Sequence, residues 1–345
     1  MNEKDVLNMK TKFGEMPNGQ PVHLYTISCG QLKAKVADLG ATLVSLDVPD
    51  RNGCLSDVVL GYDSPDGYLE SKTYFGATVG RNANRVQNAC FVLDNKTCSM
   101  PANEGVNNLH SGPDGYNIRL WNVESHTENM IVLSLHSPHG DQGFPGNASI
   151  HVSYILENNA LRIVYDAVSD RNTVFNLTNH SYFNLCGHQN QAKAMDQTLT
   201  MPARFFNPDD AANIPTGELR SVEGTPMDFR IPKPLGLEIG ADYEPLHLQG
   251  GYDHNFEVFC NPAAILADPE SGRSMAVYTD CPGVQVYTAN FTDGNGKDGV
   301  VYTKRCGVCL ETQYYPNAVN HPEWPQPFVK AGEKYHSETK YQFSW

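Results

Sequence analysis

The stretch SIHVSYILENNALRIVYDA, Ser149 to Ala167, decides the fold class. Ile150, Val152, Tyr154 and Leu156 alternate with more polar residues, Asn158-Asn159 interrupts, and Leu161, Ile163, Tyr165 and Ala167 alternate again. A period of two is that of a half-buried strand, and asparagine tolerates positive φ, so the pattern predicts a two-residue β-hairpin. Outward from it, Val22 to Val48 holds β-rich runs broken at Gly30 and Gly40-Ala41, and Met130 to Leu135 and Ser274 to Tyr278 add short strands. Long helical periodicity is missing, and 29 Gly and 22 Pro punctuate the chain. The expectation is an all-β protein, a large antiparallel β-sandwich.

The chain has 345 residues, 40% of them hydrophobic. Sandwiches often run past ~200 residues as one domain, and no linker or internal repeat divides this sequence, so residues 1-345 are expected to form a single domain. Irregular stretches at Asn103 to Asn117, Pro138 to Asn147, Asn207 to Tyr252 and Pro316 to Pro327 carry anchoring aromatics and prolines, and are expected to be ordered and functional.

The formal charge is −14, from 39 acidic against 25 Lys and Arg residues, with no basic run. Nucleic acid and anionic membrane surfaces are therefore poor partners. The first residues carry charges and no signal-peptide core, and no later stretch is long enough to span a bilayer, which predicts a cytoplasmic protein. Nine cysteines, an odd number, fit reduced thiols. Cys306 and Cys309 form a lone Cys-x-x-Cys and are read as strand residues.

Chemistry concentrates at Asn176 to Leu185. Read as one strand, it gathers Asn176, Thr178, His180, Tyr182 and Asn184 on a single polar face, suited to a hydroxyl-rich ligand. A satisfied structural histidine is the plainer reading. A strand running from Val300 into Leu310-Glu311-Thr312-Gln313 projects the carboxylate of Glu311, either an ion-pair partner or a working base. Arg81 or Arg85 could donate to neighbouring hydroxyls, His110 opens a glycine-rich loop, Asp253 follows a double-glycine turn, and Gln285 points away from the valines beside it.

These pieces, in order, resemble the aldose 1-epimerase family. The likeness is carried by Tyr74-Phe75-Gly76-Ala77, Gly80-Arg81 with Ala83-Asn84-Arg85, Asn108-Leu109-His110, Gly143-Phe144-Pro145-Gly146, Asn179-His180-Ser181-Tyr182-Phe183-Asn184-Leu185, Tyr252-Asp253-His254-Asn255-Phe256, Pro282-Gly283-Val284-Gln285 and Leu310-Glu311-Thr312-Gln313. The resemblance implies a galactose mutarotase-like sandwich that interconverts the α and β anomers of free hexoses, galactose and glucose. It implies His180 as general acid and Glu311 as general base, with Asn84, Arg85, His110, Tyr182, Asp253 and Gln285 holding the sugar. It implies a small sugar as the partner, and two positioned acid and base groups need no metal or organic cofactor, in keeping with a sequence that has no His-x-His, paired Cys-x-x-Cys or phosphate-binding glycine loop. Departures at Ser111, Asn317, Trp324 and Val86 are small, and Asn317 and Trp324 are expected near the site. Asp253 or the sugar is expected to keep His180 protonated while Glu311 stays ionised. A non-catalytic sugar-binding sandwich, a hexose-6-phosphate epimerase and a metal-dependent jelly roll are the rivals.

Overall fold

The computed structural model describes residues 9–345. The predicted hairpin forms as read: Ala148–Glu157 pairs with Ala160–Ser169, Glu157 faces Ala160, and Asn158 and Asn159 turn the chain at φ 44° and 59°. Its apolar series, Ile150 to Leu156 and Leu161 to Ala167, is buried on one face.

That hairpin lies inside a nine-stranded antiparallel sheet. In spatial order the strands are Asn122–His126, Met130–Ser137, Ala148–Glu157, Ala160–Ser169, Lys334–Ser344, Ser274–Thr279, Ala264–Ala267, Thr198–Thr200 and Lys233–Pro234. Two further sheets cover its apolar face. A five-stranded meander runs through Lys10–Glu15, Pro21–Cys29, Leu32–Ala37, Thr42–Pro49 and Leu55–Asp57. A six-stranded sheet is ordered Tyr182–Phe183, Val308–Gln313, Gly283–Tyr287, Asp253–Glu257, Phe205–Phe206 and Arg220–Ser221. One apolar cluster joins all three, with Ile27 and Leu43, Val152 and Ile163, and Val286 and Leu310 among its members. Buried hydroxyls stitch the layers: Tyr154 donates to Ala41 O at 2.6 Å, Tyr341 donates to Leu310 O at 3.3 Å, and Thr312 and Thr339 bond to each other.

The register of the six-stranded sheet positions the site. Gln285 lies opposite both Glu311 and Asn255, while Tyr287 lies opposite both Cys309 and Asp253, and Cys309 opposite Tyr182. Alternation therefore sends Val284, Val286, Val308 and Leu310 into the core and puts Tyr182, Asp253, Gln285, Tyr287, Cys309 and Glu311 on the opposite face.

Two expectations are corrected here. Asn176 to Leu185 is not one strand: Thr178–Asn179 pairs with Thr78–Val79, Tyr182–Phe183 pairs with Val308–Gln313, and His180-Ser181 breaks the run. The cause is Asn179, whose side-chain oxygen accepts from the Ser181 backbone N–H and from its hydroxyl at 2.6 Å, a local competitor to ladder pairing. Likewise the strand carrying Glu311 starts at Val308. Val301–Tyr302 pairs with Gly294–Asn295, and the chain then turns through Arg305 at φ 68°. Cys309 is thus a strand residue and Cys306 a turn residue. All nine cysteines are unpaired thiols. Only two α-helices, Pro65–Glu70 and Glu244–Gln249, occur among the described residues, and no helix there is long and apolar enough to cross a membrane.

Candidate active site

The break at His180 has a consequence for geometry. Released from the ladder, the imidazole stands over the sheet face, stacked between Tyr182 at 5.1 Å and Tyr74 at 5.7 Å, both nearly parallel to it. Its Nε2 comes within 3.6 Å of Glu311 Oε1, and both side chains are almost wholly buried. They meet at the bottom of a hollow of about 780 Å³. Glu311 Oε2 is buried with no hydrogen-bond partner among the described residues.

A second wall comes from two short paired strands, Arg85–Val86 and Asn108–Leu109. Asn84 and His110 flank them at positive φ, 60° and 52°, and bond reciprocally: the His110 N–H donates to Asn84 O at 3.1 Å, and the Asn84 N–H donates to His110 Nδ1 at 3.2 Å. With Nδ1 accepting, neutral His110 carries its proton on Nε2, so it offers the hollow a donor. His110, His180 and Glu311 each present an atom within 4.8 Å of the others, close enough to surround a metal ion. The donor set fits a metal poorly, because ligation through His110 Nε2 would require the tautomer that gives up the Asn84 bond.

Asn84, Arg85, His110, His180, Tyr182, Asp253 and Glu311 all line the hollow, so the expected residues converge with one exception. Gln285 lies beneath the wall, and its Nε2 donates to Asp253 Oδ1 at 2.7 Å, which makes it a support for Asp253. Arg81 is also corrected. It is buried elsewhere, donating to Pro145 O at 2.9 Å and Thr173 Oγ1 at 3.1 Å, with Ser137 as a further partner. Neither Asn317 nor Trp324 reaches the hollow. Asn317 Oδ1 accepts from the Gln87 N–H behind the wall, and Trp324 stacks on His321 at 4.1 Å.

Sequence reading missed Tyr74, Glu104, Tyr287 and Phe291, which also line the hollow. Tyr287 was within reach, since it shares Gln285's face two residues on. Tyr74, at φ 57°, and Glu104, in a tight turn, carry no periodic signal.

Burial dominates the electrostatics. It pushes His180 down to about 4 and pushes Glu311 well above the usual carboxylate range, with the charge of Asp253 adding to the rise of Glu311. Asp253 is itself raised by burial and held back by Arg85 and Gln285. With His180 lowered and Glu311 raised, a proton shared by the pair rests more readily on Glu311, which favours neutral imidazole beside neutral carboxyl. This corrects the expectation that Asp253 keeps His180 protonated: Asp253 acts on Glu311, in the opposite sense.

The family profile described as aldose 1-epimerase matches residues 23–342. The chain belongs to the aldose 1-epimerase family. It is 42% identical over 342 residues to the galactose mutarotase of Bos taurus, covering 96% of this chain and 97% of that protein. It is 37% identical over 337 residues to the aldose 1-epimerase of Escherichia coli K12, covering 95% and 96%. Among solved structures, an aldose epimerase homologue from C. elegans superposes with a TM-score of 0.87 at 33% identity, covering 93% of this chain and 98% of that one. The galactose 1-epimerase of Lactobacillus acidophilus gives 0.84 at 29% identity, covering 97% and 98%. As an aldose 1-epimerase the chain is an isomerase that interconverts the anomers of aldoses, and its sandwich is the galactose mutarotase-like one.

Proposed function

We propose that His180 and Glu311 are the acid and base that open and reclose the ring of a free hexose, galactose or glucose, with Asn84, Arg85, His110, Tyr182 and Asp253 gripping its hydroxyls. Opening requires a proton taken from the C1 hydroxyl and one given to the ring oxygen O5. A C1 hydroxyl donating to Glu311 favours its carboxylate, and an O5 accepting from Nε2 favours the imidazolium, so substrate drives the pair into its charged form without changing its proton count. Glu311 then takes the C1 proton, the C1–O5 bond breaks with its electrons to O5, and O5 takes the proton of His180. What remains is an aldehyde beside a neutral carboxyl and a neutral imidazole, the same distribution of the proton that burial favours. Rotation about C1–C2 presents the other carbonyl face, and closure runs the two transfers backwards.

Arg85 in the wall and Asp253 on the floor suit sugar binding as a donor and an acceptor that face the same hollow. Nine unpaired thiols fit a cytoplasmic workplace.

The observation that carries this reading is the 3.6 Å approach of His180 Nε2 to Glu311 Oε1 at the bottom of the hollow. Polarimetry on freshly dissolved α-galactose tests it. Glu311→Gln and His180→Asn should each lower kcat by roughly 10² to 10⁴-fold, the worth of one positioned acid or base. Retention of wild-type kcat by either variant would remove that residue from the chemistry.

A further inference from the structure

Arg85 is the basic side chain buried in the hollow, and it is already taken. Glu104 holds it in a two-point pair, Nε to Oε2 at 2.6 Å and Nη2 to Oε1 at 2.9 Å. Glu104 is fixed for that task by its turn. The Glu104 N–H donates to Asn107 O at 3.2 Å, the Asn107 N–H returns to Glu104 O at 3.0 Å, and Gly105 sits between them at φ 59°. On either side, Asn103 brackets Leu109 through both its N–H and its carbonyl, and Asn107 Oδ1 accepts from the Asn88 N–H. The carboxylate is therefore held in place before any ligand arrives.

Among the described residues, the pairing leaves the cleft without a free buried cation. Asp253 and Glu311 stand on the floor, Glu70 is on the rim, and the remaining basic lining residue, Lys72, is exposed to solvent. A neutral sugar can still bond to the Nη1 side of Arg85, which Glu104 does not use. A sugar carboxylate at that same edge would sit beside the Glu104 carboxylate without a guanidinium fork of its own, a like-charge contact that selects against it.

Resting on the assignment of this hollow as the sugar site, we propose that Glu104 is a specificity-determining residue that restricts the enzyme to uncharged aldoses and excludes uronates, aldoses whose terminal carbon is a carboxylate. Removing its charge hands the guanidinium fork to the substrate's carboxylate.

The test compares galactose with galacturonate near pH 7, by exchange NMR between the anomeric protons, for wild type, Glu104→Gln and Glu104→Ala. The ratio of kcat/KM for galactose to that for galacturonate should fall at least about tenfold in both variants. Galacturonate turnover by the wild type should rise with added salt, as repulsion is screened, and this dependence should weaken in Glu104→Gln, whereas galactose turnover should respond little. A purely structural Glu104 would lower both substrates together and leave the ratio unchanged, and that result overturns the proposal. So does a wild type that already turns over galacturonate as well as galactose, or a set of variants in which no galacturonate activity emerges. Failure of the site assignment itself reads differently: galactose turnover would then survive Glu311→Gln and His180→Asn.

Discussion

In the proposed mechanism Asp253 acts through its charge on Glu311. Because it adds to the rise of Glu311, Asp253→Asn should lower the pKa at which the pair loses its last proton. The proposed mechanism needs one proton on the pair. Activity should therefore fall on the acid side as His180 gains a second proton near its depressed value of about 4, and on the alkaline side as the raised Glu311 ionises with His180 neutral. A pH profile of kcat/KM for Asp253→Asn should show the alkaline limb at lower pH than in wild type, and a limb unmoved or moved upward would contradict the electrostatics. At this scale residue type singled out His180 and Glu311, and the structure brings their side chains within 3.6 Å. Gln285 was read correctly as pointing away from its valines, yet the partner it meets is Asp253, a contact between strands that no local pattern records. Glu104 and Tyr74 could not be read because they sit in irregular turns, with positive φ at Tyr74 and Gly105, where no periodic pattern says which way a side chain points.

Among the elements, the hairpin at Asn158-Asn159 was legible because alternation, turn chemistry and burial agree. Its left-handed turn gives a stability prediction. Asn158→Ala should cost about 1 kcal/mol, the order of the left-handed penalty for an ordinary side chain, while Asn158→Gly should cost little, as read from urea midpoints with kcat unchanged. The strand Val308–Gln313 links core to chemistry, since Leu310 faces inward and Glu311 outward. Leu310→Ala should destabilise by about 2 to 5 kcal/mol and also lower kcat by letting Glu311 drift, whereas an equal loss of stability at Ile150 should leave kcat intact. The elements that were misread share one cause. Side-chain bonds from Asn179 and the turn before Cys306 interrupt runs whose composition is strand-like, and composition does not report such competition.

For the whole molecule, three sheets share one apolar cluster, which argues that residues 9–345 unfold together. Tryptophan fluorescence and far-UV circular dichroism should then report coincident transitions in urea, and two separated transitions would indicate independent units. The sandwich was legible as a class from alternation and turn density. Its division into nine-, five- and six-stranded sheets was not, because strand order is set by long-range pairings such as that of Lys334–Ser344 with both Ala160–Ser169 and Ser274–Thr279. The site inherits this limit: Tyr182, Asp253, Gln285 and Glu311 share one sheet face only because those pairings bring separate strands into register.

The central claim is that His180 and Glu311 work as one proton-exchanging unit, and a double-mutant cycle on kcat for α-galactose measures this most directly. The account predicts that His180→Asn with Glu311→Gln is no more than a few-fold slower than the slower single variant, because either loss already disables the pair. A double variant whose loss equals the product of the two single losses would show independent contributions and contradict it.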